Sequence, residues 1–218
     1  MPKTGTLKQT SLVLIALIAW LAVLVQIISA TKGLVADGRS LIFGVINTLS
    51  YFTILTNLLL AIVTTACFLR GDADTLLTRP STQSAVALYI FVVGLIYTLL
   101  LRATWSPTGL NAVLDTALHD VTPVLYVLYW LLFVPKGTLR WSLPLYWLVY
   151  PLLYVAYCIL RGALTGFYPY HFADVTLLGY PRALLNTAFL LLGFWVLGMV
   201  LVAIDRLLAR SRSASTKA

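Results

Sequence analysis

The chain has 218 residues, of which 61% are hydrophobic and 10% charged. A soluble domain carries about a quarter charged residues, so this chain cannot cover its surface with polar groups and takes the bilayer as its solvent. The net charge of +8 does not point to nucleic acid, because half of the basic residues flank apolar segments or sit in the tail, as membrane proteins place them.

A spanning helix needs roughly 20 mostly apolar residues. Six segments qualify: Ser11–Ser29, Ile42–Leu69, Ser84–Leu101, Val113–Val134, Leu143–Leu160 and Ala183–Ile204. The expected fold is an all-α polytopic membrane protein with six transmembrane helices. The first segment is read as a helix rather than a signal peptide. Its apolar run from Leu12 to Ile28 exceeds a usual signal core, and Ile28 spoils a small-residue cleavage site ending at Ala30. Residues 1–205 are expected to form one six-helix domain. The basic, Ser-rich tail from residue 206 to 218 is expected to lack regular structure beside the lipid headgroups.

Six spans put both termini on one side. That side holds Lys3, Lys8, Arg70, Arg79, Lys136, Arg140, Arg206, Arg210, Arg212 and Lys217, against Lys32, Arg39, Arg102, Arg161 and Arg182 on the other. Positive-inside asymmetry then places both termini in the cytoplasm.

The second span contains "SYFTILTNLLL", which is unusually polar for hydrocarbon. Polar groups inside a span face the bundle interior or a wet cavity. At about 100° per residue, with Asn47 at zero, Ser50, Thr53, Asn57 and Thr64 fall within an arc of about 60°. Thr48 and Thr56 point elsewhere and can bond their own helix backbone.

The fourth span, "VLDTALHDVTPVLYVLYWLLFV", has a matching stripe. With Asp115 at zero, His119, Thr122, Tyr126 and Tyr129 all lie within about 40° of it. Asp115 lies one turn before His119, within reach of one ring nitrogen. Pro123 has no N–H, so the His119 carbonyl loses its helical partner and the helix loosens there. Asp120 is rotated about 100° from His119. Counted along both spans, Thr53 and His119 can meet in the outer half of the bilayer. The fifth span adds Tyr146, Tyr150, Tyr154, Tyr157 and Arg161 on one face, a candidate pocket wall.

Each feature also has a bland explanation. Hydroxyls and amides on membrane helices are most often packing glue. Tyrosine stripes often pack helices. Trp20, Trp105, Trp141 and Trp147 suit interface anchors, and Arg102, Arg161 and Arg182 suit snorkelling. His171 suits a surface position. An ionisable pair inside a span, Asp115 with His119, is costly and by default marks function. No metal or other cofactor is expected. The chain has only two histidines, and Cys67 and Cys158 lack any CxxC or His-rich neighbourhood.

"YFTILTNLLL" and "LHDVTPVLYVLYW" resemble the androgen-induced gene and ADTRP family of membrane proteins, in particular its bacterial branch. "RGALTGFYPYHF" resembles that family's loop after the fifth span. The resemblance runs from about residue 11 to 205. It implies a six-span threonine hydrolase that cleaves lipid (fatty-acid) esters inside a bacterial cytoplasmic membrane. By motif position it implies Thr53 as nucleophile and His119 as general base. Asp120 stands where animal members have Thr, and the proline is one residue closer to the histidine.

Residue chemistry adds supporting roles. Asp115 is placed to hold the imidazole, as the carboxylate of a Ser-His-Asp triad does, and Asn57 is the candidate oxyanion donor. Ser50 is a further supporting residue. Thr122, Tyr126, Tyr129, Tyr150, Tyr154 and Tyr157 are candidate pocket lining. The expected partners are membrane lipids or a lipid ester. The alternative is a non-catalytic lipid- or small-molecule-binding carrier with the same polar cavity. A proton-coupled transporter is weaker, because no inverted repeat is visible. Catalysis would require Thr53 and His119 within about 8 Å, a hydrogen bond or one water bridge.

Overall fold

A computed structural model of the chain describes residues 2–71 and 73–215. Among the described residues all regular structure is helical. Six helical runs are long and apolar enough to cross a membrane: Gly5–Ala36, Phe52–Arg70, Pro80–Leu101, Gly109–Phe133, Leu143–Thr165 and Val175–Ser211. The protein is an all-α polytopic membrane protein. Its many outward leucines, such as Leu14, Leu17, Leu21 and Leu24, are what a lipid-facing surface requires. The chain divides into two compact units, Met1–Pro135 and Lys136–Ala218.

The first unit opens with α1 (Pro2–Ala36) and a short α2 (Leu41–Leu49), capped by the Ser40 side chain on the Phe43 amide at 3.2 Å. These two pack closely at Gly44, where an added Cβ would come within 2.8 Å of Thr31 Cγ2. Next comes α3 (Phe52–Arg70). The sequence suggests one helix from Ile42 to Leu69, but the chain breaks at Ser50 and Tyr51. Thr48 and Ser50 donate their hydroxyls back to the carbonyls of Gly44 and Ile46, at 2.9 and 2.6 Å. Such bonds loosen a helix, and Tyr51 is extended, with φ −85° and ψ 131°. Thr53 is therefore the second residue of α3, and the helical phase carried across Ser50 from Asn47 does not apply.

The third span is α4 (Pro80–Ile96), with proline at its first position, ending in a π-helical turn, Tyr97–Leu101. The fourth is built of α5 (Gly109–Thr116), a second π turn (Ala117–Val121) and α6 (Thr122–Phe133). The second π turn lies just before Pro123. It is the loosening that a missing proline N–H makes there, and Thr122 N–H closes it on the Ala117 carbonyl. Gly94 lets α4 approach this turn: a Cβ there would sit 3.0 Å from the His119 carbonyl oxygen and 3.3 Å from Pro123 Cβ. Beside the turn, Ala22 and Val23 of α1 pack with Ile54 and Leu118, the neighbours of Thr53 and His119.

The second unit contains α7 (Leu143–Trp147), α8 (Val149–Thr165), a 3-10 turn (His171–Ala173) and α9 (Val175–Ser215). Gly166 ends α8 in the left-handed conformation, with φ 70°. Within α9, Gly179 is non-helical (φ 70°, ψ 159°), so the long continuous helix starts only near Pro181. The segment expected to be an irregular tail continues this helix to Ser215. Residues 216–218 lie outside the described residues.

Candidate functional site

The site lies within the first unit, where the start of α3 meets the π turn of the fourth span. Thr53 Oγ1 is 3.3 Å from His119 Nε2. The other ring nitrogen, Nδ1, is 3.0 Å from the backbone oxygen of Asp115 and 3.2 Å from its carboxylate Oδ1. Both Asp115 contacts are acceptors, so Nδ1 is the ring nitrogen placed to donate, and in the neutral ring Nε2 then faces Thr53 as an acceptor. The His119 and Asp115 side chains are 14% and 13% exposed. The pair is shielded, but not sealed.

A third member was not anticipated. Tyr97, at the head of the first π turn, donates its phenol to Asp115 Oδ2. Its ring also stacks on the His119 imidazole, with centroids 4.0 Å apart and planes 16° from parallel. The Arg102 guanidinium lies 4.9 Å from the Tyr97 ring centre and pairs with Asp120. A lone tyrosine near the end of a leucine-rich span gives no periodic signal. The only hint in the sequence is that it precedes Arg102 by five residues, and that spacing is meaningful only in a π turn. Arg102, expected to snorkel, also pairs with Asp120.

Asn57 holds the two helices together. Its Nδ2 donates to the carbonyls of Thr53 and Leu118, at 2.9 and 3.2 Å, and its Oδ1 accepts the Thr122 hydroxyl at 2.6 Å. Both amide protons are committed, so Asn57 has none for an oxyanion, and that expectation is corrected. It clamps the backbone beside both candidate reactive residues. Thr122 is the far half of that clamp rather than pocket lining.

The remaining stripe residues also find other partners. Ser50 belongs to the C-terminal cap of α2 and donates to the Ile46 carbonyl, so it does not share a helix face with Thr53. Tyr126 and Tyr129 reach Gln83 at the start of α4, with the Tyr126 phenol 3.3 Å from its backbone oxygen and the Tyr129 phenol 3.2 Å from Oε1. Trp130 donates to Ser84 at 2.7 Å nearby. These side chains form a buried polar tie between α4 and α6. Gln83 and Ser84 escaped notice because they sit at the edge of an apolar run.

Tyr150, Tyr154 and Tyr157 belong to the second unit. There Tyr154 packs on Tyr157 and Tyr170, with ring centres 6.5 Å apart in each case. Tyr170 in turn stacks on Phe172 at 5.2 Å. Among the described residues, no group of three or more His, Cys, Asp or Glu side chains could hold a metal. Cys67 and Cys158 are free thiols.

What this arrangement can do chemically is narrow. A hydroxyl faces the bare nitrogen of an imidazole whose other nitrogen is bound to a carboxylate. This is the order of groups that a nucleophile, its base and an orienting carboxylate require. No protein-family model, curated protein or solved structure matches the chain.

Proposed function

We propose that the protein is an intramembrane hydrolase of lipid esters, with Thr53 as nucleophile and His119 as general base. The observation that carries this reading is the 3.3 Å approach of Thr53 Oγ1 to His119 Nε2, in a chain whose motifs resemble the androgen-induced gene and ADTRP family. The resemblance and the basic-residue asymmetry support a bacterial cytoplasmic membrane with both termini inside.

The reaction runs in two halves. Thr53 Oγ attacks the acyl carbonyl carbon as its proton passes to His119 Nε2. The tetrahedral intermediate collapses, the ester C–O bond breaks, and the departing alcohol oxygen takes that proton. Water then attacks the acyl-threonine, again giving its proton to His119, and the fatty acid leaves as Thr53 Oγ is reprotonated. The Asp115 carboxylate stabilises the imidazolium formed in each half. Thr53 stands in the first turn of α3, so the negative charge on the attacked carbonyl develops at the positive end of a helix dipole.

The test is labelling of purified protein by a fluorophosphonate probe, with hydrolysis of a fluorogenic fatty-acid ester in parallel. Wild type should be labelled, and Thr53→Ala should abolish labelling. His119→Ala should slow hydrolysis by about 10²- to 10⁴-fold, the usual contribution of a general base. Lipid binding that survives in both variants, with no labelling of wild type, would instead favour a carrier.

A further inference from the structure

We infer that Tyr97 is a positioning residue that, with Asp115, fixes His119 as the Nδ1-protonated tautomer and so leaves Nε2 free to face Thr53. Its catalytic meaning rests on the hydrolase reading above, but the tautomer itself does not.

An isolated neutral imidazole prefers its proton on Nε2. With the proton there, Nε2 would be a donor and could not take one from a hydroxyl. The site must therefore reverse the intrinsic preference. The Asp115 backbone oxygen, 3.0 Å from Nδ1, already favours a proton there, but the Asp115 carboxylate alone is poorly suited to hold its aim. A carboxylate on a helix turns about its last two torsions, and an unpaired second oxygen would draw it toward water at the partly open edge of the site. Tyr97 removes that freedom. Its phenol holds Oδ2, which aims Oδ1 at Nδ1, 3.2 Å away. The same ring covers the imidazole face at 4.0 Å and opposes the ring turn that would exchange the two edges. One side chain thus restrains both partners of the hydrogen bond.

The backbone is shaped for this purpose on both sides. Tyr97 opens one π turn and His119 is the central residue of another. Such turns are rare and concentrate at functional sites. In the first, the Arg102 amide bonds the Tyr97 carbonyl at 2.8 Å, which returns the Arg102 side chain to its own Tyr97 ring. Arg102 then pairs with Asp120, the residue after His119. The two turns and the residues flanking them meet at three points: the Tyr97 phenol on Asp115, the Tyr97 ring on His119, and the Arg102 guanidinium on Asp120.

The test uses the full-length protein in lipid nanodiscs with ¹⁵N-labelled histidine. The chain has two histidines, so a His171→Gln background leaves His119 as the one labelled imidazole. Nitrogen shifts distinguish a protonated ring nitrogen from a bare one. The expected result is protonated Nδ1 and bare Nε2 in the parent. Tyr97→Phe keeps the ring and loses the phenol. It should give a mixture of tautomers and slow fluorophosphonate labelling about tenfold, as expected for loss of one hydrogen bond to a charged group, with KM for an ester unchanged. Tyr97→Leu, which also loses the stacked ring, should be more severe in both readouts. A parent protonated on Nε2, or a Tyr97→Phe variant with the parent's nitrogen shifts and labelling rate, overturns the inference. If the parent is never labelled while its tautomer still depends on the phenol, the hydrolase reading fails and the positioning role of Tyr97 stands.

Discussion

Asp115 and Asp205 both lie within apolar helices of this protein, and they are held in opposite ways. Asp205, in α9, is 1% exposed. Its Oδ2 accepts the backbone amides of Gly137 and Leu139, at 2.9 and 3.2 Å. Arg206 beside it donates to the Leu139 carbonyl at 3.2 Å and lies over Trp141. Asp115 accepts from a phenol and an imidazole. A backbone amide does not ionise at working pH, so these two bonds make Asp205 a latch on the loop it binds. An imidazole does ionise near working pH, so under the proposed hydrolase reading Asp115 stands beside a group that gains and loses a proton. Depth in a span marks both residues as costly. Their partners, rather than their depth, tell the two apart.

The same substitution at both sites gives the largest contrast. Asp115→Ala should reduce ester hydrolysis at least about a hundredfold, because the imidazole loses the group that orients it and stabilises its charge. Its thermal melting in detergent should change little. Asp205→Ala should do the reverse. Two amides lose a charged partner, which costs about 2 to 4 kcal/mol, while activity per folded molecule is retained. If Asp115→Ala instead melts early and its folded fraction hydrolyses normally, Asp115 is a second latch and the distinction fails.

Gly94 offers a smaller and sharper probe, since it touches neither carboxylate. A Cβ there would meet the His119 carbonyl at 3.0 Å and Pro123 at 3.3 Å, so the π turn must move by a few tenths of an ångström. Gly94→Ala should cost about 1 to 3 kcal/mol through overpacking. It should also slow labelling at Thr53 by about tenfold, since misplacement by even an ångström costs more than that. An alanine variant with unchanged labelling would mean that the imidazole tolerates displacement, against a site held by the two π turns.

The six spans were legible because hydrocarbon demands long apolar helices with internally bonded backbones. The Asp115–His119 stripe was legible because both residues are polar and one turn apart. Thr53 was reached through phase and motif, yet by a route that the fold does not follow. The counted helix ran unbroken from Ile42, whereas α3 starts at Phe52 and Thr53 stands at its beginning rather than near its middle. Nothing in single-residue hydropathy shows that Thr48 and Ser50 will bond backward and end a helix. Asn57 was read as polar and inward, which is right. Its commitment to the Thr53 and Leu118 carbonyls follows only from the contact of two helices that are distant in sequence. Tyr97 stayed hidden for a third reason. Its relation to Asp115 and Arg102 depends on π geometry, and a period of 3.6 residues cannot display it.

The smallest expected effect extends the comparison to solvent. Asp174 lies outside the spans and, like Asp205, is bound by backbone amides: Thr176 N–H at 2.8 Å and Leu177 N–H at 3.3 Å, with the Thr176 hydroxyl at 2.5 Å. Slight burial pushes its carboxyl upward, but the Thr176 hydroxyl and amide and the Leu177 amide outweigh it and hold the group below the ordinary carboxylate value. A depressed carboxylate stabilises the fold above its unfolded value and loses that contribution as pH falls through its folded value. Asp174→Asn should therefore reduce melting temperature slightly at neutral pH, by the equivalent of less than about 1 kcal/mol for an exposed cap. The difference from wild type should begin to shrink as pH falls below the ordinary carboxylate value and vanish once Asp174 is protonated in the folded protein. Asp205→Asn should show a larger neutral-pH loss, because its carboxylate is enclosed. Equal losses at the two positions would mean that burial adds nothing to a carboxylate held by amides, leaving partner type as the only difference between Asp205 and Asp115.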